Sequence, residues 1–149
     1  MEKKIFIGCD HAGFHAKNKL VEYLSPTYFN VYDMGTYKRE SCDYPDIAFK
    51  VCENVTKSTD HIGIVICGTG IGMSISCNKF NNIRCALCHN TETAELSRKH
   101  NNANILALGA RLLDNESLIN IVNTFLSTDF DGGRHSDRLD KINLLFNKG

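Results

Sequence analysis

A glycine-rich segment that follows a cysteine is the part of this sequence best suited to chemistry. The segment is Val65-Ile66-Cys67-Gly68-Thr69-Gly70-Ile71-Gly72-Met73-Ser74. An apolar run predicts a strand that ends in a thiol, and a helix is predicted to begin among the glycines. Glycines let the backbone expose its N–H groups, and a helix start carries a partial positive charge, so an anion is expected to bind here. The same field favours a thiolate at Cys67, which would make it a usable base or nucleophile.

Two well-known glycine motifs differ from this segment. A P-loop needs Lys and then Ser or Thr after its last glycine, whereas Gly72 is followed by Met73 and Ser74. A dinucleotide-binding loop has the spacing Gly-x-Gly-x-x-Gly after the first strand, whereas the spacing here is Gly-x-Gly-x-Gly after the third. The plain structural alternative is a tight strand-to-helix turn that buries Cys67.

Asp10 and His11 follow the first predicted strand, and His100 lies near the end of a predicted helix. Asp10 and His11 could act as an acid/base pair, but a cap for a helix starting at Ala12 is the commoner role for Asp10. His100 could act as a C-terminal cation or as a catalytic acid/base. The residues alone leave both choices open.

Two arginines, Arg134 and Arg138, are four residues apart. On a helix they present two guanidinium groups on one face, which suits phosphate, and Arg111 could join them. A solvated charged face is the commoner interpretation of such a pair.

Metal and redox motifs are weak in this sequence. Cys85 and Cys88 have the spacing of a redox pair, but positions three apart on a strand face opposite sides of the sheet. His11 and His15 have the spacing of paired zinc ligands, but no glutamate lies between them and no third ligand is evident. We therefore expect no metal site and no redox centre.

Composition restricts the class of protein. A chain of 149 residues predicts a single domain spanning residues 1–149. The 17 basic and 17 acidic residues cancel, which argues against a broad surface for nucleic acid or a membrane. No apolar run is long enough to span a bilayer, and no signal peptide is evident, so a cytoplasmic location is expected. The seven cysteines show no framework spacing and are expected to be reduced.

Short apolar runs alternate with helical periodicity along the chain. Strands are predicted at residues 5–8, 31–34, 62–67, 85–88 and 105–108. This alternation favours an α/β fold, a doubly wound, Rossmann-like sheet of five parallel strands with helices on both faces. The carboxyl ends of the first, third and fifth strands should converge, which would bring Asp10, Cys67 and Arg111 together.

The C-terminal segment differs from the rest of the chain. Asp131-Gly132-Gly133 interrupts the pattern before an amphipathic helix that carries Leu139, Ile142, Leu145 and Phe146. Such a helix needs an apolar surface to pack on. Its own sheet and a second subunit both remain open as that surface.

Seven segments stand out when they are taken together in order. They are GCDHAGF (8–14), DYP (43–45), CGTGIGMS (67–74), NKF (78–80), SRKHN (97–101), GAR (109–111) and GGRH (132–135). This set resembles the type B ribose-5-phosphate isomerases, a family shared with the subunits of galactose-6-phosphate isomerase. The resemblance runs nearly from end to end of the chain.

The resemblance implies an aldose–ketose isomerisation without metal or cofactor. D-ribose 5-phosphate and D-ribulose 5-phosphate would interconvert through a cis-enediolate, a step of the non-oxidative pentose phosphate pathway. Cys67 would be the base that moves a proton between C2 and C1. The enediolate oxygen would be held by backbone N–H groups of the glycine loop, those of Gly68, Gly70, Ile71, Gly72, Met73 and Ser74.

The resemblance also implies roles for residues outside the loop. His100, with Asp10 and Thr69 nearby, would open the sugar ring. Asp10, Tyr44 and Asn101 would bind the sugar, and the phosphate contacts would be His11, Arg111, Arg134 and Arg138. In relatives the partner subunit completes this site, so the resemblance implies a homodimer with composite active sites, with pairing into a tetramer left open. A dimer would also give the C-terminal helix its packing surface.

Two other functions remain as alternatives. The first is isomerisation of a six-carbon sugar phosphate, such as allose or galactose 6-phosphate. The galactose enzyme pairs two unlike chains that tend not to keep the full cysteine and histidine set in both, which weighs against it. The second is a non-catalytic nucleotide- or flavin-binding module of flavodoxin type, which would retain a nucleotide or chromophore on purification.

Overall fold

The apolar runs of the sequence form one parallel sheet in a computed structural model, which describes residues 3–28 and 30–147. Within those residues the five strands are β1 (Lys4–Cys9), β2 (Val31–Asp33), β3 (His61–Cys67), β4 (Cys85–Leu87) and β5 (Ile105–Gly109). Their spatial order is β2-β1-β3-β5-β4, and every pairing is parallel. The predicted five-stranded parallel sheet is confirmed.

Six α-helices connect or follow the strands in the described part of the chain. They are α1 (Phe14–Leu24), α2 (Tyr44–Val55), α3 (Ile71–Cys77), α4 (Thr91–Asn101), α5 (Asn115–Ser127) and α6 (Arg134–Phe146). Local side chains explain several of the starts. Asn90 accepts the N–H of Thr93 at 2.8 Å before α4, and Asp114 accepts that of Ser117 at 2.8 Å before α5.

Helices cover both faces of the sheet, as predicted. Successive strand residues alternate between two cores, because side chains of a strand point to opposite faces. Ile64 and Ile66 of β3 pack in the core covered by α1, α4 and α5. Val65 and Cys67 pack in the core covered by α2 and α3.

The central position of β3 brings three strand ends to one edge of the sheet. Cys9 of β1 is in register with Ile66, and Cys67 is in register with Gly109 of β5. The residues that follow these strands therefore meet at the carboxyl edge, where doubly wound folds bind their ligands. The predicted convergence of the first, third and fifth strands is confirmed.

Helix α6 lies outside both cores. None of its residues is buried, and Leu144 and Phe146 are 82% and 70% exposed. The packing of this helix on a partner subunit stays a prediction. No helix among the described residues combines the length and apolar character needed to cross a bilayer.

Candidate active site

A cavity of about 410 Å³ opens at the carboxyl edge of the sheet, beside the glycine loop. It is lined by Asp10, Tyr44, Cys67, Gly68, Thr69, Ile71, Gly72, Ile75 and Arg111. The lining includes a thiol, a carboxylate, a phenol and a guanidinium, supplied by four separate segments of the chain. The topology therefore brings together residues that are up to 101 positions apart, from Asp10 to Arg111.

The Cys67 thiol lies at the wall of this cavity. Cys67 is the last residue of β3 and is 5% exposed, yet it lines the cavity as well as the core under α2 and α3. Its Sγ accepts the N–H of Gly70 at 3.2 Å. Gly70 has φ +80°, a conformation that L side chains rarely adopt, so glycine is required for this turn. A donor directed at sulfur stabilises a thiolate more than a thiol.

Other thiols lie in environments that keep them protonated. Burial raises the pKa of Cys9 to about 11 and also raises the pKa of Cys88. Both side chains are about 1% exposed or less. These two cysteines are structural, whereas Cys67 faces a cavity with a backbone donor on its sulfur.

The N–H groups of the loop divide into occupied and available donors. The N–H of Ile71 donates to Thr69 Oγ1 at 3.2 Å, and that of Ser74 to the Gly70 carbonyl at 3.0 Å. Within residues 3–28 and 30–147, the N–H groups of Gly72 and Met73 have no acceptor, as expected in the first turn of a helix. These two donors are available to an anionic oxygen.

Asp10 caps a helix and also lines the cavity, so the capping role is confirmed and the acid/base role stays a prediction. Its Oδ1 accepts the N–H groups of Ala12 and Gly13 at 3.0 and 3.3 Å, capping the short 3-10 helix His11–Gly13 that precedes α1. The carboxylate, only 6% exposed, also lines the cavity. The capping bonds fix its position next to Cys67.

His11 follows Asp10 and has a defined tautomer. Its Nδ1 accepts the N–H of Cys42 at 3.3 Å. A backbone N–H can only donate, so Nδ1 lacks a proton and the neutral ring carries its proton on Nε2. His11 thus offers an N–H donor, although it does not line the cavity.

Tyr44 and Arg111 close over the glycine loop. A Cβ added at Gly72 would lie 2.5 Å from the Tyr44 ring, and one added at Gly68 would lie 2.9 Å from Arg111 Nη1. The lack of side chains at Gly68 and Gly72 therefore lets the phenol and the guanidinium approach the backbone. The close approach explains why the loop needs more glycines than its turn requires.

The other predicted residues lie outside the cavity. His100 is near the end of α4, where its ring stacks on that of His135 with a centroid distance of 4.4 Å. Asn101 lines a separate apolar cavity between α6 and β4, and Arg134 and Arg138 are exposed on α6. The predicted site residues thus form two groups, one around Cys67 and one around His100.

Ile75 and His135 were not singled out from the sequence. Ile75 lines the cavity and is 59% exposed, four residues after the half-exposed Ile71. Apolar residues four apart on a helix normally indicate a face packed in the core, so the spacing of Ile71 and Ile75 gave no sign that they line a cavity. His135 was part of a motif, but its contact with His100 depends on the turn between α5 and α6.

Comparisons with known proteins show the family of the chain. A family model described as Ribose/Galactose Isomerase matches residues 5–142. The chain belongs to this family. The Ribose/Galactose Isomerase match includes the glycine loop, His100 and both arginines of α6.

Named relatives cover nearly the whole chain. The ribose-5-phosphate isomerase B of Escherichia coli is 42% identical over 143 residues, with 96% of each chain covered. The crystal structure of a ribose 5-phosphate isomerase from Thermotoga maritima superposes with a TM-score of 0.93 at 49% identity, covering 97% of this chain and 100% of that one. The Mycoplasma genitalium enzyme with bound ribulose-5-phosphate gives a TM-score of 0.93 at 42% identity, covering 97% and 96%.

Proposed function

We propose that the protein interconverts D-ribose 5-phosphate and D-ribulose 5-phosphate, with Cys67 as the base. The observation that carries this proposal is the Cys67 sulfur at the cavity wall, beside the unoccupied N–H groups of Gly72 and Met73. An enolising isomerase needs a base and an anion-binding group within reach of one carbon–oxygen unit. The relative from Mycoplasma genitalium, solved with bound ribulose-5-phosphate, supports the choice of substrate.

The chemistry begins with the open-chain aldose in the cavity. The Cys67 thiolate removes the proton from C2, and the electron pair of that bond forms the C1–C2 double bond of the enediolate. The negative charge moves to O1, where the N–H groups of Gly72 and Met73 bind it, and each good donor contributes roughly 3–4 kcal/mol in comparable anion holes. The hydroxyl proton then passes from O2 to O1, which moves the negative charge to O2. As the C2=O bond forms, the electron pair of the C1–C2 double bond takes back the proton held by Cys67 at C1, which gives the ketose. General base catalysis of this kind contributes about 10²–10⁴-fold to the rate.

We assign ring opening and phosphate binding to residues of both groups. Ribose 5-phosphate exists mainly as a ring, so an acid/base must first move a proton between the anomeric hydroxyl and the ring oxygen. His100 takes this role together with Asp10 and Thr69. Arg111, Arg134, Arg138 and His11 bind the phosphate, and Tyr44 and Asn101 bind sugar hydroxyls.

The separation of the two groups supports a homodimer with composite active sites. His100, Asn101, Arg134 and Arg138 do not line the cavity of their own chain. Helix α6 exposes Ile142, Leu144, Leu145 and Phe146, which is the apolar surface that a second copy would cover. In the proposed dimer, His100 and the α6 arginines of one subunit complete the cavity around the partner's Cys67.

The function is tested by assaying metal-depleted, purified protein on three substrates. We expect conversion of ribose 5-phosphate to ribulose 5-phosphate, with much lower kcat/KM on allose 6-phosphate and galactose 6-phosphate. A higher kcat/KM on either six-carbon substrate would contradict the proposed substrate. Inactivity on all three, with a flavin or nucleotide retained on purification, would favour the binding-module alternative.

A further inference from the structure

Three side chains that could hold a metal ion form a cluster where the end of α4 meets the start of α6. His100, Asp131 and His135 each offer a ligand atom, and these atoms all lie within 4.8 Å of one another. Two imidazoles and a carboxylate are a common ligand set for zinc, with a fourth position left for water. Within residues 3–28 and 30–147, no group forms a hydrogen bond with any of these three side chains.

The backbone fixes this cluster. The N–H of Asp131 donates to the Lys99 carbonyl at 3.1 Å, which holds the segment before α6 against the end of α4. Gly132 and Gly133 have φ values of +70° and +60°, and the turn they form brings His135 back over His100. The backbone therefore holds these three residues close to one another.

We propose that His100, Asp131 and His135 bind a zinc ion that inhibits the isomerase. Ligands of a tetrahedral zinc are about 3.3 Å apart, given metal–ligand distances of about 2.0–2.2 Å. The three side chains must close by roughly 1–1.5 Å from a spacing of up to 4.8 Å, and the stacked rings must tilt. His100 and His135 are half-buried and Asp131 is exposed, so rotation about their side-chain bonds is available.

Charge around the cluster selects among metals. Arg134 and Arg138 lie on the same helix as His135, four residues apart at its start. The same arginines oppose any cation, so ions held mainly by charge, such as Mg²⁺ and Ca²⁺, are disfavoured. Zn²⁺ binds imidazole nitrogen strongly enough to compensate.

Inhibition follows from the role of His100 and rests on the proposed function. A metal-bound ring nitrogen has no lone pair to accept a proton. Zinc would therefore block the opening of the sugar ring, while the Cys67 side of the site stays intact. This regulatory site differs from a catalytic metal, since the proposed reaction itself uses none.

Zinc titration by calorimetry tests the site directly on the metal-depleted full chain. We expect one Zn²⁺ per chain, and an affinity lowered more than about tenfold in Asp131→Asn and in His135→Asn, since even loss of a residue that only orients a ligand costs about 10–100-fold. Asp137→Asn is the matched control, because it removes the same charge from the first turn of α6 outside the cluster. Unchanged affinity in both variants would show that zinc binds elsewhere on the chain and would overturn the site, as would absence of binding to the wild-type chain.

The inhibitory effect is tested separately from the binding. Zn²⁺ should inhibit conversion of ribose 5-phosphate, a chelator should restore it, and His135→Asn should need more than about tenfold higher Zn²⁺ for the same inhibition. Zinc bound at the cluster without inhibition would overturn the inhibitory role but not the site. A chain that binds zinc yet never isomerises ribose 5-phosphate would overturn the proposed function instead.

Discussion

At the scale of single residues, the site depends on backbone donors more than on charges. Cys67 receives an N–H from Gly70 at 3.2 Å, and the helix start beyond it offers two unoccupied N–H groups. Asp10 is fixed by capping bonds and His11 by the N–H of Cys42. The main chain thus orients these three side chains, which is what preorganised catalysis requires.

His100→Ala should separate ring opening from proton transfer. We expect the conversion of ribose 5-phosphate to fall by about 10²-fold or more, the usual range for a lost acid/base. Ribulose 5-phosphate has no ring form, because its O5 carries the phosphate. The variant should therefore still exchange the C1 proton of ribulose 5-phosphate with D₂O at close to the wild-type rate.

Nuclear magnetic resonance of the C1 signal measures this exchange. His89→Asn is a suitable control, since His89 is exposed after β4 and lines neither site cavity. If conversion of ribose 5-phosphate and C1 exchange of ribulose 5-phosphate fell by the same factor, His100 would have no specific role in ring opening.

At the scale of secondary structure elements, a buried lysine ties the segment after β2 to the edge that carries Asp10. Lys17 of α1 is 1% exposed, and its Nζ donates to Asp33 Oδ1 at 2.9 Å and to the Thr36 carbonyl at 2.6 Å. The N–H of Thr36 donates in turn to the Cys9 carbonyl at 2.8 Å. The ion pair therefore fixes the chain directly before Asp10.

Lys17→Met should destabilise the protein strongly. Removing one partner of a buried ion pair costs about 3–5 kcal/mol, and we expect the lower part of that range because Asp33 is 31% exposed. Urea unfolding measures the change in the free energy of unfolding. Lys19→Met, at an exposed position of the same helix, should change it by less than about 0.5 kcal/mol. Similar values for the two variants would contradict this account.

The elements were largely predictable, whereas side-chain contacts between distant elements were not. Alternation of apolar runs with helical periodicity placed five strands and the helices on both faces, because burial on both faces of a parallel sheet leaves a strong pattern. Lys17 occupies the apolar face of α1 together with Leu20 and Leu24, where a charge contradicts the pattern. Its partner Asp33 is 16 residues away, and sequence spacing carries no information on such a contact.

At the scale of the whole molecule, the proposed site requires two chains. The Cys67 group could be predicted from strand ends, since topology alone brings Asp10, Cys67 and Arg111 to one edge. The position of the His100 group relative to Cys67 depends on how α6 packs. Hydrophobic periodicity does not predict that packing, and the structure of a single chain does not determine it. The apolar residues and the two arginines of α6 are exposed, as the composite arrangement requires.

Subunit complementation tests this arrangement. Cys67→Ala and His100→Ala chains should each convert ribose 5-phosphate at least about 10²-fold more slowly than the wild type, whereas coexpression of both should restore activity. A mixed dimer has one site that combines the intact Cys67 with the intact His100, so statistical assembly predicts about a quarter of the wild-type activity. If each site were built within a single chain, coexpression would restore no activity. Mixed dimers that are isolated and found inactive would therefore contradict the composite site.

The most direct test of the account is deuterium incorporation from D₂O into ribulose 5-phosphate by Cys67→Ala. The wild-type protein should place solvent deuterium at C1 as it isomerises ribose 5-phosphate, because the Cys67 proton exchanges with solvent. The variant should bind the sugar phosphate with similar affinity by calorimetry, yet show a loss of incorporation of at least about 10²-fold. Incorporation at the wild-type rate in the variant would contradict the assignment of Cys67 as the base.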